Sequence, residues 1–243
     1  MIDTNGPLAD QDALALIRRM ELLPQLLRRQ QEEQIIASVG LPQSWIDTQR
    51  DAFLGDQGLH DLLSAKGWQI GDLELNLCRT EALNRFASQR FGPGLEEAFL
   101  GCQGSRDEVI YSFLRVSDPA LAHELWIRLE EQETTFAEAA SQYSEGPEAQ
   151  RKGVMGPMEI GKLQPPELAT CLRGLRPGEL SPPQQIGPWR VLLRLEQLTP
   201  ARFDASMRER LLQEKLDQWL DDRVQRILRG ESLEPLAYDR SHD

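Results

Sequence analysis

Histidine and cysteine are the side chains that most often bind metals or act as catalysts, and this chain has few of either. Three of each are present: His60, His123, His242, Cys78, Cys102 and Cys171. The cysteines lie far apart and form no CxxC pair, which is typical of reduced, mostly buried thiols. The stretch HELWIRLEE has one histidine where a zinc-binding helix needs two. We therefore expect no metal site.

Nucleotide cofactors also lack a matching motif. The stretch GPGLEEAFLG, which begins at Gly92, has neither the glycine spacing of a dinucleotide fold nor a strand before it. We therefore expect no cofactor of any kind. With 27 basic and 39 acidic residues the net charge is −12. Such a surface repels phosphate backbones, so we expect no nucleic-acid partner.

Hydropathy bears on the compartment. The chain has 243 residues, 40% of them apolar, which is enough for a packed core. It has no apolar run of 18 residues, so we expect no membrane span. The first residues, MIDTNGPLADQDALAL, do not have the basic and apolar regions of a secretory signal. Together with the thiols, these features predict a cytoplasmic protein.

A stretch rich in glycine and proline runs from Ser141 to Pro183, with six glycines and seven prolines. It is either a disordered linker or a compact domain that turns sharply around a groove. Linkers do not carry large apolar residues at regular intervals, as this region does with Phe136, Tyr143, Met155, Leu163 and Leu168. Glycine allows the positive φ that tight turns need. We therefore expect a folded groove.

The elements around this stretch predict an α+β domain. EVIYSFLRV (108–116) and WRVLLRLEQL (189–198) are short runs rich in branched and aromatic residues, typical of strands. Between them PALAHELWIRLEEQ, TTFAEAASQYS and PPELATCLRGL have the apolar spacing of helices. The order strand, helix, helix, loop, helix, strand predicts a small sheet covered by helices.

Helices are predicted on both sides of this domain. Residues 10–100 indicate short helices, with a break near Pro24, and after Pro200 an apolar stripe of about six turns extends from Met207 to Leu228. That last helix either closes the helical body or pairs with a second copy, so the oligomeric state is left open. We predict an N-terminal helical domain (1–105), an α+β domain (106–199), a C-terminal helix on the N-terminal domain (200–230) and a flexible tail (231–243).

The motifs of the middle region resemble a parvulin-type (PpiC-like) peptidyl-prolyl cis-trans isomerase domain. TTFAEAASQYSEGPEAQRKGVMGPM, GKLQPPEL, GLRPGELSPP and WRVLLRLE occur in family order over about ninety residues. The layout, with helices before the domain and one long helix after it, is similar to SurA-type chaperones. The resemblance implies a small antiparallel sheet with covering helices, inserted into an all-helical, chaperone-like body that a long C-terminal helix closes.

The resemblance also implies a proline-binding groove. It assigns the apolar pocket to Met155, Leu163 and Leu168, with Gln164 as a polar neighbour. Phe113 and Trp189 are expected beside the peptide. The alternative is that the apolar residues simply fill the domain core.

The polar half of the groove departs from the family pattern. Active parvulins carry two histidines on adjacent strands and a Cys or Asp in a loop. The matching positions here are Phe113 (or Ser112, one residue away), Arg190 and Gly146. Arg190 and Ser112 are therefore the candidate catalytic residues, and the Tyr111 hydroxyl lies nearby in sequence. The alternative for Arg190 is a solvated side chain packed over Trp189.

Two functions follow from the resemblance. The first is a foldase with peptidyl-prolyl isomerase activity, weakened by loss of the polar residues, that acts on unfolded or proline-containing polypeptides. The second is a non-catalytic chaperone or escort module, with an export machine as a further partner. A purely structural scaffold would leave the pocket unexplained.

Overall fold

The computed structural model describes residues 10–55 and 58–240. In chain order the elements are α1 (Asp10–Arg19), α2 (Leu23–Val39), α3 (Gln43–Leu54), α4 (Leu59–Lys66), α5 (Ile70–Phe91), α6 (Leu95–Arg106), β1 (Glu108–Val116), α7 (Pro119–Glu130), α8 (Phe136–Tyr143), β2 (Val154–Glu159), α9 (Pro166–Arg173), β3 (Gln184–Ile186), β4 (Trp189–Thr199) and α10 (Ala205–Leu228). They form two compact units. One comprises the helices up to residue 95 and the chain from residue 205 onward, and the other comprises residues 96–204.

The first unit is built from helices whose ends follow from proline and glycine. A short turn separates α1 from α2. Pro24 lies in the first turn of α2, where its missing N–H removes no helical hydrogen bond. Gly40 ends α2 in the left-handed conformation, with φ 62°. Helix α5 begins with a reciprocal pair of capping hydrogen bonds. The cap is Gln69, and Asp72 lies at the third helical position, where its carboxylate accepts from the Gln69 N–H at 2.8 Å.

Helix α10 packs against α2 and α5 and buries the apolar stripe seen in the sequence. Leu216 and Leu220 of α10 are fully buried, and the Trp219 ring lies 5.2 Å from that of Phe86 on α5. At the edge of the contact, Arg28 of α2 forms ion pairs with carboxylates of α10. The last helix therefore closes the helical body of its own chain.

The segment after α10 was predicted as a flexible tail. Up to residue 239 it has neither helix nor strand, but side chains of the first unit bind it. Gln89 exchanges two hydrogen bonds with the backbone of Asp239, and Arg240 donates to the carbonyl of Ser38 at 2.9 Å. The described part of this segment thus packs against the helices in an extended conformation.

The second unit contains a four-stranded sheet in the order β2-β1-β4-β3, with every neighbouring pair antiparallel. The two strands predicted from the sequence, β1 and β4, are its central strands. β2 and β3 were not predicted. β2 contains Gly156 and Pro157 and has no alternating apolar pattern, and β3 has only three residues.

The sheet separates two apolar cores because successive strand residues face opposite sides. On one side, residues of β1 and β4 such as Tyr111 and Leu193 pack with α9 and the turns beside it. On the other side, Leu114 of β1 and Leu192 of β4 pack with α7 and α8. We call these the α9 side and the α7–α8 side.

The predicted fold class is confirmed: an α+β chain in which a small antiparallel sheet with covering helices is inserted into a helical body closed by a long C-terminal helix. Among the described helices, none combines the length and the apolar character that crossing a membrane requires.

Candidate functional site

A cavity of about 360 Å³ opens on the α9 side of the sheet. We call it the β1 cavity, because three residues of β1 form its floor. It is lined by Tyr111, Phe113, Arg115, Pro147, Glu148, Gln150, Arg151, Met155, Gln164 and Leu168. Strand alternation explains the floor, since residues 111, 113 and 115 lie on one face of β1.

Three other segments complete the walls of the β1 cavity. β2 places Met155 opposite Tyr111 in the sheet register. The first turn of α9 supplies Leu168, and Gln164 precedes that helix. A 3₁₀ turn over Pro147–Arg151 closes the remaining side. The result is an apolar pocket, formed by Phe113, Met155 and Leu168, with a polar rim.

Glycine at position 153 allows this arrangement. Its φ is +79°, and a Cβ there would lie 2.9 Å from both the Phe113 carbonyl oxygen and the Ala140 Cβ. The Phe113 N–H donates to the Gly153 carbonyl at 2.8 Å, which ties the turn to β1. Only glycine satisfies both the backbone conformation and this close approach.

A polar network that the sequence analysis missed lies at one end of the cavity. Glu148 is 4% exposed, and its carboxylate lies 3.1 Å from two nitrogens of Arg115, Nε and Nη2. The Ser144 hydroxyl donates to the same carboxylate at 2.5 Å and accepts from the Arg115 backbone N–H at 3.1 Å. Glu148 is thereby paired with a cation and hydrogen-bonded, which a buried carboxylate requires.

The Arg115 guanidinium also lies near two aromatic rings, in space that the glycine at position 146 leaves free. Its central carbon lies 5.4 Å from the Trp189 ring centroid and 5.8 Å from that of Phe113, within the range of cation–π attraction. A Cβ at Gly146 would overlap this guanidinium. Arg115 therefore fills the space that a side chain in the loop at position 146 would occupy.

Tyr111 lies at the other end of the floor. It is 3% exposed, and its hydroxyl has no hydrogen-bond partner among the residues that the structure describes. Burial raises the pKa of Tyr111, so the phenol stays protonated at neutral pH and can donate a hydrogen bond. Tyr111 lines the cavity, so a ligand acceptor there can accept from this hydroxyl.

The structure brings four of the eight predicted site residues together in the β1 cavity: Phe113, Met155, Gln164 and Leu168. Leu163 is 3% exposed and packs with Ile160 and Leu172 in the core, so for this residue the core interpretation holds. Trp189 packs on the same core beneath the Arg115 guanidinium.

The two candidate catalytic residues, Ser112 and Arg190, do not line the cavity. Strand alternation puts Ser112 on the α7–α8 side, where its hydroxyl donates to Glu196. Arg190 has the same parity on β4 as Leu192, which faces that side. The geometry gives their predicted catalytic roles no support.

A second, larger cavity of about 720 Å³ lies on the α7–α8 side, near the start of α8. Its lining includes Glu130, Thr134, Thr135, Glu179 and Arg194. Leu129, Phe136 and Leu180 also line this cavity, so its walls are mixed, but it contains none of the predicted proline-binding residues.

Comparison with known proteins identifies the domain around the β1 cavity. Residues 118–196 match the family model described as "Rotamase: PPIC-type PPIASE domain". This segment is a parvulin-type domain. The matched segment includes the cavity walls from the 3₁₀ turn, β2 and α9, whereas β1, which forms the floor, precedes it. The match confirms the resemblance drawn from the sequence motifs.

One solved structure shares the wider fold, and two others match with lower scores. PrsA from Bacillus cereus, described as a peptidylprolyl isomerase, has a TM-score of 0.51 and 17% identity, and the match covers 99% of this chain and 93% of that one. PrsA from Bacillus anthracis has a TM-score of 0.47, 18% identity and coverage of 86% and 99%. A match to Campylobacter jejuni SurA-like chaperones has a TM-score of 0.37, 12% identity and coverage of 98% and 99%. No curated protein sequence matches this chain.

Proposed function

We propose that this protein binds extended, proline-containing polypeptides at the β1 cavity and accelerates the isomerisation of their X–Pro bonds weakly. The observation that carries the proposal is a solvent-open pocket of Phe113, Met155 and Leu168, of which Met155 and Leu168 belong to the parvulin-type segment. A prolyl ring is small and apolar, and it matches such a pocket better than any polar side chain does.

The chemistry needs no nucleophile or cofactor. Rotation about a peptide bond crosses a barrier of about 18–20 kcal/mol, because conjugation between the nitrogen and the carbonyl must be broken. Holding the ring in an apolar pocket excludes water and favours the twisted amide, whose nitrogen is no longer conjugated. Hydrogen-bond donors near the amide add to the effect only where the hydrogen bonds that they form are stronger in the twisted state than in the planar state.

Weak activity is expected because the family's polar positions are altered. Phe113 and Gly146 carry no titratable group, and Arg190 belongs to the opposite face of the sheet. Loss of one oriented donor reduces kcat by a factor of about 10²–10³ in other enzymes. Binding depends mainly on the apolar pocket and should be affected less.

The same observation favours a second candidate function, a non-catalytic chaperone or escort module. In this version the β1 cavity holds the client without rotating it, and delivery to an export machine remains a prediction from the sequence layout. A cytoplasmic location is likewise proposed, because the spacing of the three cysteines predicts reduced thiols.

The two functions are separated by measuring turnover and binding on the same protein. A protease-coupled assay with a proline tetrapeptide reports isomerisation, and a fluorescence titration with a labelled, reduced and unfolded protein reports binding. Turnover above the uncatalysed rate supports the foldase. Saturable binding without turnover supports the escort, and the absence of both refutes the proposal.

A variant pair tests whether the β1 cavity is the site. Met155→Lys places a charge in the apolar pocket, whereas Val154→Lys places it on the neighbouring residue of β2, which is 49% exposed and does not line the cavity. We expect Met155→Lys to weaken binding at least tenfold and Val154→Lys to leave it unchanged. Equal effects of the two variants would contradict the assignment of the site.

A further inference from the structure

The β1 cavity has hydrogen-bond donors at both ends of its floor that no other described group uses. At one end is the Tyr111 hydroxyl, and at the other is Nη1 of Arg115, whose other two guanidinium nitrogens face Glu148. The two residues are four apart on β1, which at about 3.3 Å per residue separates them by roughly 13 Å. Phe113 lies between them, so the apolar pocket is flanked by a donor on each side.

A ligand that fits this pattern has an apolar group in the middle and an acceptor on each side of it. An extended peptide with a central proline has this form, because backbone carbonyl oxygens flank the prolyl ring and proline itself adds no N–H. Its length over four residues matches the spacing of Tyr111 and Arg115 along the strand.

The charge of the donors narrows the class of ligand. Glu148 is buried against Arg115, so the pair carries no net charge towards the cavity. The guanidinium can therefore bind a neutral carbonyl oxygen, whereas a ligand carboxylate at the same place would also meet the Glu148 carboxylate. The other cation of the lining, Arg151, is exposed, and water screens its charge.

We infer that Tyr111 and Arg115 are the specificity-determining residues of the β1 cavity. They bind backbone carbonyl oxygens on either side of the proline, and the cavity takes prolines flanked by uncharged residues. Glu148 and Ser144 are positioning residues that hold the Arg115 guanidinium and cancel its charge. This inference rests on the proposed function, since it names the ligand class of the same cavity.

The first test removes the donors and measures the dissociation constant of a fluorescent Ala-Pro peptide. Tyr111→Phe deletes only the hydroxyl, and we expect it to weaken binding about threefold while leaving thermal stability unchanged. Arg115→Met deletes a charged donor, and we expect about tenfold weaker binding. The matched control is Arg194→Met, because Arg194 also pairs with a glutamate and lies over an aromatic ring but belongs to the α7–α8 side.

The second test changes the ligand class. Glu148→Gln keeps the shape of the positioning residue but leaves the Arg115 charge uncompensated. The wild type should bind the Ala-Pro peptide at least about threefold more tightly than the Glu-Pro peptide, and Glu148→Gln should reverse this preference and favour the Glu-Pro peptide. Glu145→Gln is the control, because it removes the same charge from an exposed residue that binds Ser117 instead.

The results separate the inference from the proposed function. If the wild type binds neither peptide, both are wrong. If the wild type binds, Tyr111→Phe binds as tightly as the wild type, and the Arg115 and Glu148 variants behave like their controls, the inference is wrong and the proposed function stands. Should Arg115→Met fail to fold, Gly146→Ala makes the same test. The backbone at Gly146 has a φ of −125°, which alanine adopts without strain, and the added methyl group displaces the Arg115 guanidinium.

Discussion

Replacement of Gly153 by alanine tests how the turn beneath the β1 cavity is held. Alanine at φ +79° meets backbone strain of about 1–2 kcal/mol. Its methyl would also lie 2.9 Å from the Phe113 carbonyl oxygen and the Ala140 Cβ, and 3.2 Å from a ring carbon of Phe136. Overpacking of this kind costs about 1–3 kcal/mol more. We therefore expect the free energy of unfolding to fall by about 2–5 kcal/mol.

Calorimetry of the full chain, with amide hydrogen exchange in β1 to follow the second unit, measures this loss. For a unit of this size about 4 °C is lost per kcal/mol, so we expect Tm to fall by roughly 8–20 °C. Gly178→Ala is the matched control. Gly178 has φ +87°, but a Cβ there meets nothing within 4 Å, so only the backbone strain applies and Tm should fall by roughly 4–8 °C. Equal losses for the two variants would refute the close-packing argument, and no loss at Gly153 would refute the turn geometry.

Three further predictions concern packing, pH and thiol reactivity. Leu168→Ala and Leu172→Ala each remove a buried leucine of α9 and should each lower the free energy of unfolding by about 2–5 kcal/mol. Only Leu168→Ala should also weaken binding of a proline peptide, because only Leu168 lines the cavity; equal weakening by both would contradict this. Hydrogen bonds from Thr135 lower the pKa of Glu138, so its stabilising effect is complete above the pKa of an unfolded glutamate and is lost as pH falls through the lowered value. The Tm difference between wild type and Glu138→Gln should therefore shrink towards zero in acid. A difference that grows in acid would contradict a lowered pKa for Glu138. Burial and the neighbouring Glu167 raise the pKa of Cys171, so it should react with iodoacetamide more slowly than free cysteine at neutral pH, and an equal or faster rate would contradict this.

The central strands and the helices of this fold follow from the sequence because their apolar spacing is regular. β1 and β4 are long and rich in branched residues, and the stripe of α10 repeats over six turns. β2 could not be predicted in this way. It is an edge strand that contains Gly156 and Pro157, and its place depends on its pairing with β1, a contact distant in sequence.

The apolar half of the site could be predicted, whereas of the polar half only Gln164 was predicted. Met155 and Leu168 were assigned from the resemblance, and both line the cavity. Ser112 was placed one residue out of register, and strand alternation alone turns it to the other side of the sheet. The same alternation could have identified Tyr111 and Arg115 once Phe113 was assigned to the cavity.

The role of Glu148 could not be predicted from the sequence, for a different reason. Its role depends on a guanidinium 33 residues earlier in the chain and on the missing side chain at Gly146. Nothing in the local sequence SEGPEAQR distinguishes a buried, paired carboxylate from an exposed one. Only the fold brings these groups together.

The most direct test of the central claim is methyl NMR of the five methionines during titration with a proline peptide. Met155 lines the β1 cavity, whereas Met20 and Met207 lie in the helical unit and report on non-specific effects. The account predicts that an Ala-Pro peptide shifts the Met155 methyl signal saturably, leaves Met20 and Met207 unchanged, and that the matching Ala-Ala peptide has little effect. A Met155 signal that does not move, or that moves equally with both peptides, would show that the cavity does not receive proline.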